Sequence, residues 1–379
     1  MRRLLLLVSA IVATDTAFFT ALTPLLPHFA KTYDLSKGGA GALIATYAAG
    51  TLVGALPAGL AATRLGPKRA VLGGLALMSA ASFGFALAGS VWPLALSRFF
   101  QGVGSSFSWA GGLAWVISST PRERRGELLG TAMGAAVFGA LLGPVVGALA
   151  GVVGIRSTFL GVAVVGLGLL AWAAGTGGAL RQEQRLREGL LALRDRRVFA
   201  GLWLITLPAL LFGVLIVLVP LRLNRYGWGT IAIGAVFVAT TAIETVLNPL
   251  LGRLTDRRGR LQPVRIALIG SLLVSVGLAW AGRPLLIVPL VLLAGIAYGA
   301  FYTPGLALIS DGAERAGVAQ ALAFGLMNAC WGVGAMVGPA VGGALASVAG
   351  DALPYLLMAL VCLATFVALR LRSPVAATT

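Results

Sequence analysis

Residues 130–148 read GTAMGAAVFGALLGPVVGA, and residues 325–343 read GLMNACWGVGAMVGPAVGG. In the first stretch Gly139, Gly143 and Gly147 recur every four residues; in the second, Gly334, Gly338 and Gly342 do the same. Each set therefore falls on one face of a helix. A face of small residues lets another helix approach without a gap, and Pro144 and Pro339 each remove a backbone donor and favour a bend. Glycines spaced this way serve general packing as well as motion, so one copy decides little. Two copies, 195 residues apart, decide more.

A second pattern returns at nearly the same offset. Gly59-Leu60-Ala61-Ala62-Thr63-Arg64-Leu65-Gly66-Pro67-Lys68 is matched by Gly252-Arg253-Leu254-Thr255-Asp256-Arg257-Arg258-Gly259-Arg260, 193 residues on. Unrelated patterns sharing an offset mark a duplicated unit.

Composition gives that unit its solvent. Charged residues make up 11% of the 379, where a soluble chain has about 25%. Hydrophobic residues reach 58%, Gly numbers 52, and the mean hydropathy is +0.94. So few charges would not cover a water-soluble globule; the chain is read as an integral membrane protein. The net charge of +17 suggests nucleic acid at first sight. However, the bases sit in short clusters between apolar runs and form no continuous basic face, so nucleic acid is excluded. Cys330 and Cys362 lie within apolar runs, and His28 is the only histidine, which leaves no disulfide framework and no metal site. No cofactor is expected.

At about 20 apolar residues per crossing, the chain divides into twelve spans: 4–29, 39–62, 70–90, 92–119, 127–152, 156–180, 198–222, 230–251, 264–282, 284–309, 317–347 and 352–371. They are long and Gly-rich, unlike the ten-residue alternation of barrel strands. Met1-Arg2-Arg3 before Leu4–Leu7 resembles a cleavable signal, but the repeat needs this segment as span 1. Of the 29 Lys and Arg, only Lys31, Lys37, Arg156, Arg222, Arg225 and Arg283 fall on outer loops, and Arg98 lies inside span 4. The rest are on the other side, so both termini are expected in the cytoplasm of a multi-pass cell-membrane protein. The organisation is a six-helix bundle over 1–180, a linker over 181–197 (RQEQRLREGLLALRDRR), and a six-helix bundle over 198–379. The linker is read as solvated with a short surface helix.

Three motifs together carry a family resemblance along essentially the whole chain. The loop pattern G-x-L-x-D-R-x-G-R is complete at 252–260. Span 4 holds R-x-x-Q-G-x-G as Arg98, Gln101, Gly102 and Gly104, and span 5 lacks only the last glycine of G-x8-G-x3-G-P-x2-G-G, replaced by Ala148. The chain resembles the major facilitator superfamily, and its span 5 motif resembles that of the twelve-helix drug:proton antiporters. That resemblance implies two parallel bundles, alternating access, and a cavity lined by spans 1, 4, 7 and 10. It nominates Phe18, Phe19, Gln101, Trp109, Trp203, Tyr298 and Tyr302 for substrate contact, with Asn328 and Trp331 on span 11. It also implies that the loop residues Gly59, Arg64, Gly66, Gly252, Asp256, Arg257, Gly259 and Arg260 gate the cytoplasmic side, together with the glycines and prolines of spans 5 and 11. Thr63 stands where the family has Asp, so in the first copy the bases serve topology at least as well as gating.

Three ionisable residues lie well inside spans: Asp15, Arg98 and Glu244. Charges there are costly and face a cavity or a partner. From 1.5 Å per residue, Asp15 lies about 17 Å above the start of span 1, and Arg98 about 9 Å below the outer face, depths that suit a pair. Glu244 lies about 10 Å from the cytoplasmic side. Neither Arg98 nor Glu244 has a repeat mate, since the matching positions are Val291 and Thr51, so both are read as specific to the task. A poorly hydrated carboxyl holds its proton, and a nearby Arg favours release. Competition between the two would let Asp15 carry protons, Arg98 modulate it, and Glu244 act as a second carrier or cation site. The scheme requires Asp15 to meet water from each side in turn.

The expected function is proton-coupled efflux of small amphiphilic or drug-like molecules by a monomer. The alternative is a uniporter or proton symporter for sugars or other metabolites. An enzyme is not expected, and no G-x4-G-K-[ST] loop suggests ATP hydrolysis.

Overall fold

The computed structural model describes residues 2–119, 125–178, 195–258, 261–315 and 320–372, with the side chains of 125–127, 129, 248–258, 261, 320–322, 324 and 371–372 outside that description. It is a twelve-span helical membrane protein in two six-helix bundles. Span 1 is Arg2–Thr20 continued by Leu26–Thr32; spans 2 to 6 are Lys37–Arg64, Pro67–Leu87, Val91–Ser118, Arg125–Val153 and Ile155–Gly175. Spans 7 to 9 are Arg196–Arg225, Thr230–Arg258 and Leu261–Trp280. Span 10 is Pro284–Gly299 continued by Tyr302–Arg315, and spans 11 and 12 are Gln320–Ala349 and Ala352–Arg372. Among the described residues, eleven of these are long and apolar enough to cross a bilayer. Val91–Ser118 is not among them, because it carries the polar residues that build the site described below.

Local chemistry sets the boundaries. Ser36 caps span 2, its hydroxyl accepting from the Gly39 N–H at 3.1 Å. Asp195 caps span 7 by accepting from the N–H groups of Arg197 and Val198. Gly66, at φ 97°, makes the turn from span 2 to span 3. Two spans differ from expectation by being broken. Pro24 has no N–H for the Thr20 carbonyl, and a short 3-10 turn at Thr23–Leu25 interrupts span 1. Span 10 stops at Gly299 and restarts at Tyr302, two residues before Pro304. Neither break is expected from apolar run length alone.

The repeated glycines hold each bundle together. A side chain at Gly139 or Gly147 would strike the backbone carbonyl of Ala13 or Ala21, and one at Gly143 would meet Thr20 and the Ala17 carbonyl. Span 5 therefore lies backbone to backbone on span 1. In the second bundle, side chains at Gly334 and Gly338 would come within 2.5 Å of the Thr206 and Leu210 carbonyls of span 7, and Gly342 faces Val214. These motif residues thus serve packing inside each bundle.

Between bundles, the closest approaches join spans 2 and 11, and spans 5 and 8, in the halves read as outer. Gly41 meets the Pro339 carbonyl and Gly343 that of Lys37, while Gly234 faces Ala148 and the Pro144 carbonyl. A polar clasp seals this side. Lys37, at the start of span 2, pairs with Asp351 in the turn between spans 11 and 12 and donates to the Ala346 carbonyl at 3.3 Å. Arg222 and Arg225 at the end of span 7 reach the other Asp351 oxygen at 3.8 Å. The Gly38 N–H donates to Ser347 at 2.8 Å.

Two outcomes follow from this packing. Gly139→Leu should lower the detergent melting temperature, since overpacking costs about 1–3 kcal/mol, whereas Gly134→Ala, which meets open space, should leave it unchanged. Asp351→Asn should populate a form open on the clasp side, by about 1 kcal/mol for a partly exposed ion pair. Spin labels at Ser36 and Val348, both exposed, would read this as a longer distance population.

Candidate functional site

Asp15 sits on span 1 where spans 2 and 4 meet it. Its Oδ1 accepts from the Tyr47 hydroxyl at 2.8 Å, and its Oδ2 accepts from Ser105 at 2.9 Å and from the Trp109 indole N–H at 2.6 Å. With 3% of its surface exposed, it is buried in this conformation. Tyr47 and Ser105 are buried as well, while Trp109 is only half-buried. The indole is thus the cover between the carboxylate and the centre of the protein.

Arg98 does not pair with Asp15. It turns instead to the break in span 1, donating to the carbonyls of Phe18 at 3.0 Å and Phe19 at 3.2 Å. Helix ends leave carbonyls without donors, and a cation beside them is favourable; Arg98 caps the interrupted helix. Its third bond goes to the Gln101 side-chain oxygen at 3.1 Å, and Gln101 in turn donates to Ser82 of span 3 at 3.1 Å. Contact with Asp15 is indirect: the guanidinium lies over the Tyr47 ring, 4.7 Å from its centroid. The depth match expected from the sequence fails because Arg98 reaches up span 1 to the break, while Ser105 and Trp109, two and three turns further along span 4, reach Asp15.

The centre between the bundles is aromatic. Phe19 touches Tyr47, with centroids 5.2 Å apart, and Trp331 of span 11, 5.1 Å apart. Trp109, Tyr302 and Trp331 pack on one apolar cluster holding Leu113 of span 4, Leu202 and Ile205 of span 7, and Met327 of span 11. Glu244 lies at the far side, its carboxylate against Gly299 at the break in span 10. Phe19 thus joins Tyr47 to Trp331, and Trp109 and Tyr302 pack on the same apolar cluster as Trp331. Asn328, one turn before Trp331, is half-buried.

Four nominated contacts turn away from this centre. Phe18 is buried in the main apolar core. Gln101 is fully buried against span 3. Trp203 donates to Thr365 of span 12 at 3.2 Å. The Tyr298 hydroxyl bonds Ser275 of span 9 at 2.9 Å, with its ring edge-on to Phe212. Tyr47 and Ser105, both bound to Asp15, were absent from the sequence-derived set; the only signal was a polar residue within an apolar run. Of the loop motif, Arg64 is exposed and Gly59 meets nothing within 4 Å. Lys68 donates to the carbonyls of Ala174 and Thr176, tying span 3 to span 6. Gly252, Asp256 and Arg257 lie on the end of span 8 where side chains are outside the described set, and Gly259 and Arg260 lie outside the described residues altogether.

Comparison with known proteins matches this architecture. The sequence pattern described as Major Facilitator Superfamily fits residues 5–324. A chloramphenicol resistance protein of Streptomyces lividans is 29% identical over 89% of this chain and 87% of its own length. The class E tetracycline resistance protein of Escherichia coli is 29% identical over 39% of this chain and 37% of its own. The solved structure of a D-xylose-proton symporter superposes with a TM-score of 0.75 at 17% identity, covering 96% of this chain and 95% of the other. A bacterial homolog of the human lysosomal transporter Spinster gives 0.76 at 15% identity, covering 97% and 94%. The chain belongs to the major facilitator superfamily.

Proposed function

We propose that the protein exports small amphiphilic molecules from the cytoplasm in exchange for protons, as a monomer in the cell membrane with both termini inside. The single observation that carries this reading is the pair of carboxylates within the spans, one in each bundle: Asp15 bonded to Trp109, and Glu244 at the span 10 break, with an aromatic cluster at the centre. Such walls suit an apolar, planar or cationic molecule through stacking and cation–π attraction. A sugar would need a convergent set of amide and hydroxyl groups. The Gln101 amide is already bonded to Arg98 and Ser82. Two of the relatives are resistance proteins by name, which supports efflux.

The coupling follows from donor and acceptor counting. Ionised Asp15 accepts three hydrogen bonds. The hydroxyls of Tyr47 and Ser105 can rotate to accept a proton's bond, but the indole N–H of Trp109 only donates. A proton arriving on Asp15 removes the charge that strengthens the Trp109 bond, and that weakening links proton occupancy to the position of the indole. Glu244 serves as the second proton or cation position beside the span 10 break. The bundles, 1–180 and 198–379, rock about this centre, closing at the Lys37–Asp351 clasp in one state and releasing it in the other. Asp15 meets water only when that motion moves Trp109 aside.

In proteoliposomes, a substrate gradient should drive proton movement in the opposite direction. Movement in the same direction would establish symport instead. Asp15→Asn should abolish this substrate-dependent proton flux while leaving substrate binding measurable, and Glu244→Gln should reduce binding of cationic substrates more than neutral ones. Undiminished exchange by Asp15→Asn would remove Asp15 from the coupling scheme.

A further inference from the structure

We infer that the first bundle carries a second site, away from the central enclosure, for the phosphate headgroup of an anionic phospholipid. A cavity of about 380 Å³ opens between the ends of spans 1, 3, 4 and 6 on the clasp side, a volume within the range of small-ligand pockets. Phe29, Tyr33, Phe85, His28 and Arg156 are among its lining residues, and none of the central residues takes part.

The cavity has two chemistries. Its floor is aromatic: Phe29 meets Phe85 edge-on at 5.9 Å, and Phe85 meets Phe159 at 4.3 Å. Its rim is basic and polar, with Arg156 at the start of span 6 and the His28 ring 3.5 Å from the Thr32 hydroxyl. No Asp or Glu lines it; Asp34, close along the chain, is exposed and outside the lining. Charge complementarity thus selects an anion. The mouth selects a lipid. Leu87 lines the cavity and is 58% exposed, and Trp92, 81% exposed, stands at the start of span 4 as an aromatic does at headgroup depth. One occupant satisfies both: acyl chain along Leu87, phosphate on Arg156, His28 and Thr32. The planar guanidinium matches phosphate with two parallel bonds, and basic pockets between membrane helices hold anionic headgroups in this way. A zwitterionic lipid would bring its own cation to a rim that already has two bases.

The test uses the purified full chain in detergent, with phosphatidylglycerol, phosphatidylcholine or inorganic phosphate added. Bound lipid is counted by native mass spectrometry, and stability is followed by thermal shift. Phosphatidylglycerol should be retained and should raise the melting temperature, while phosphatidylcholine and inorganic phosphate do neither. The double variant Arg156→Gln, His28→Gln should lose one bound phosphatidylglycerol, with apparent affinity about tenfold weaker, and Arg156→Lys should keep part of it. Equal retention of phosphatidylcholine, an equal effect of free phosphate, or unchanged retention by the double variant would overturn the assignment. If the double variant fails to fold, Ala88→Phe fills the cavity and leaves both bases in place. Loss of the bound lipid in that variant supports the site, and unchanged retention overturns it.

Discussion

Hydrocarbon offers no water, so a polar atom placed there has to be satisfied by the protein itself. The first bundle is organised by that demand. Span 1 breaks at the Thr23–Leu25 turn, and the carbonyls of Phe18 and Phe19, in the last turn before it, accept from Arg98. Gln101 and the Tyr47 ring add further partners for the buried guanidinium, whose Nε alone stays without a hydrogen-bond partner, and Gln101 bonds Ser82. Tyr47 completes the chain by donating to Asp15. Remove the break, and the reason for an arginine at this depth goes with it. An unpartnered polar group here costs several kcal/mol, so four spans are locked in one arrangement before any substrate is considered.

That lock separates two jobs the sequence runs together. Arg98 is chiefly a cap for a broken helix, and its influence on Asp15 passes through one aromatic ring. Asp15 is held by donors of its own, one of which also covers it from the central enclosure. Glu244 is placed differently: it rests against the end of a half-helix at Gly299. The two acids are therefore unequal, the first tightly framed and the second placed where a span is already interrupted.

The spans and their duplication were legible because run length, loop bases and repeated glycines are local features. Span 8 runs on to Arg258 because Arg and Asp continue a helix beyond the hydrocarbon. What stayed hidden was rotation. In a soluble protein, polar and apolar faces differ; in a bilayer, lipid and interior are both apolar, so Trp203 and Tyr298 give no sign of which way they turn. They face spans 12 and 9. Depth counting also misled for Arg98, since it places the backbone and not the end of a long side chain, which here reaches the Phe18 and Phe19 carbonyls. The Lys37–Asp351 pair joins positions 314 residues apart, and nothing local announces it.

The glycine ridges have a wider consequence. Where spans 1 and 5, or 7 and 11, meet backbone on backbone, side chains elsewhere on those helices contribute little to the joint. Drift in the remaining positions is then nearly neutral for architecture. Chains sharing 15–17% of their residues superpose along nearly their whole length. Cargo chemistry can be rewritten by natural variation while the skeleton keeps its shape.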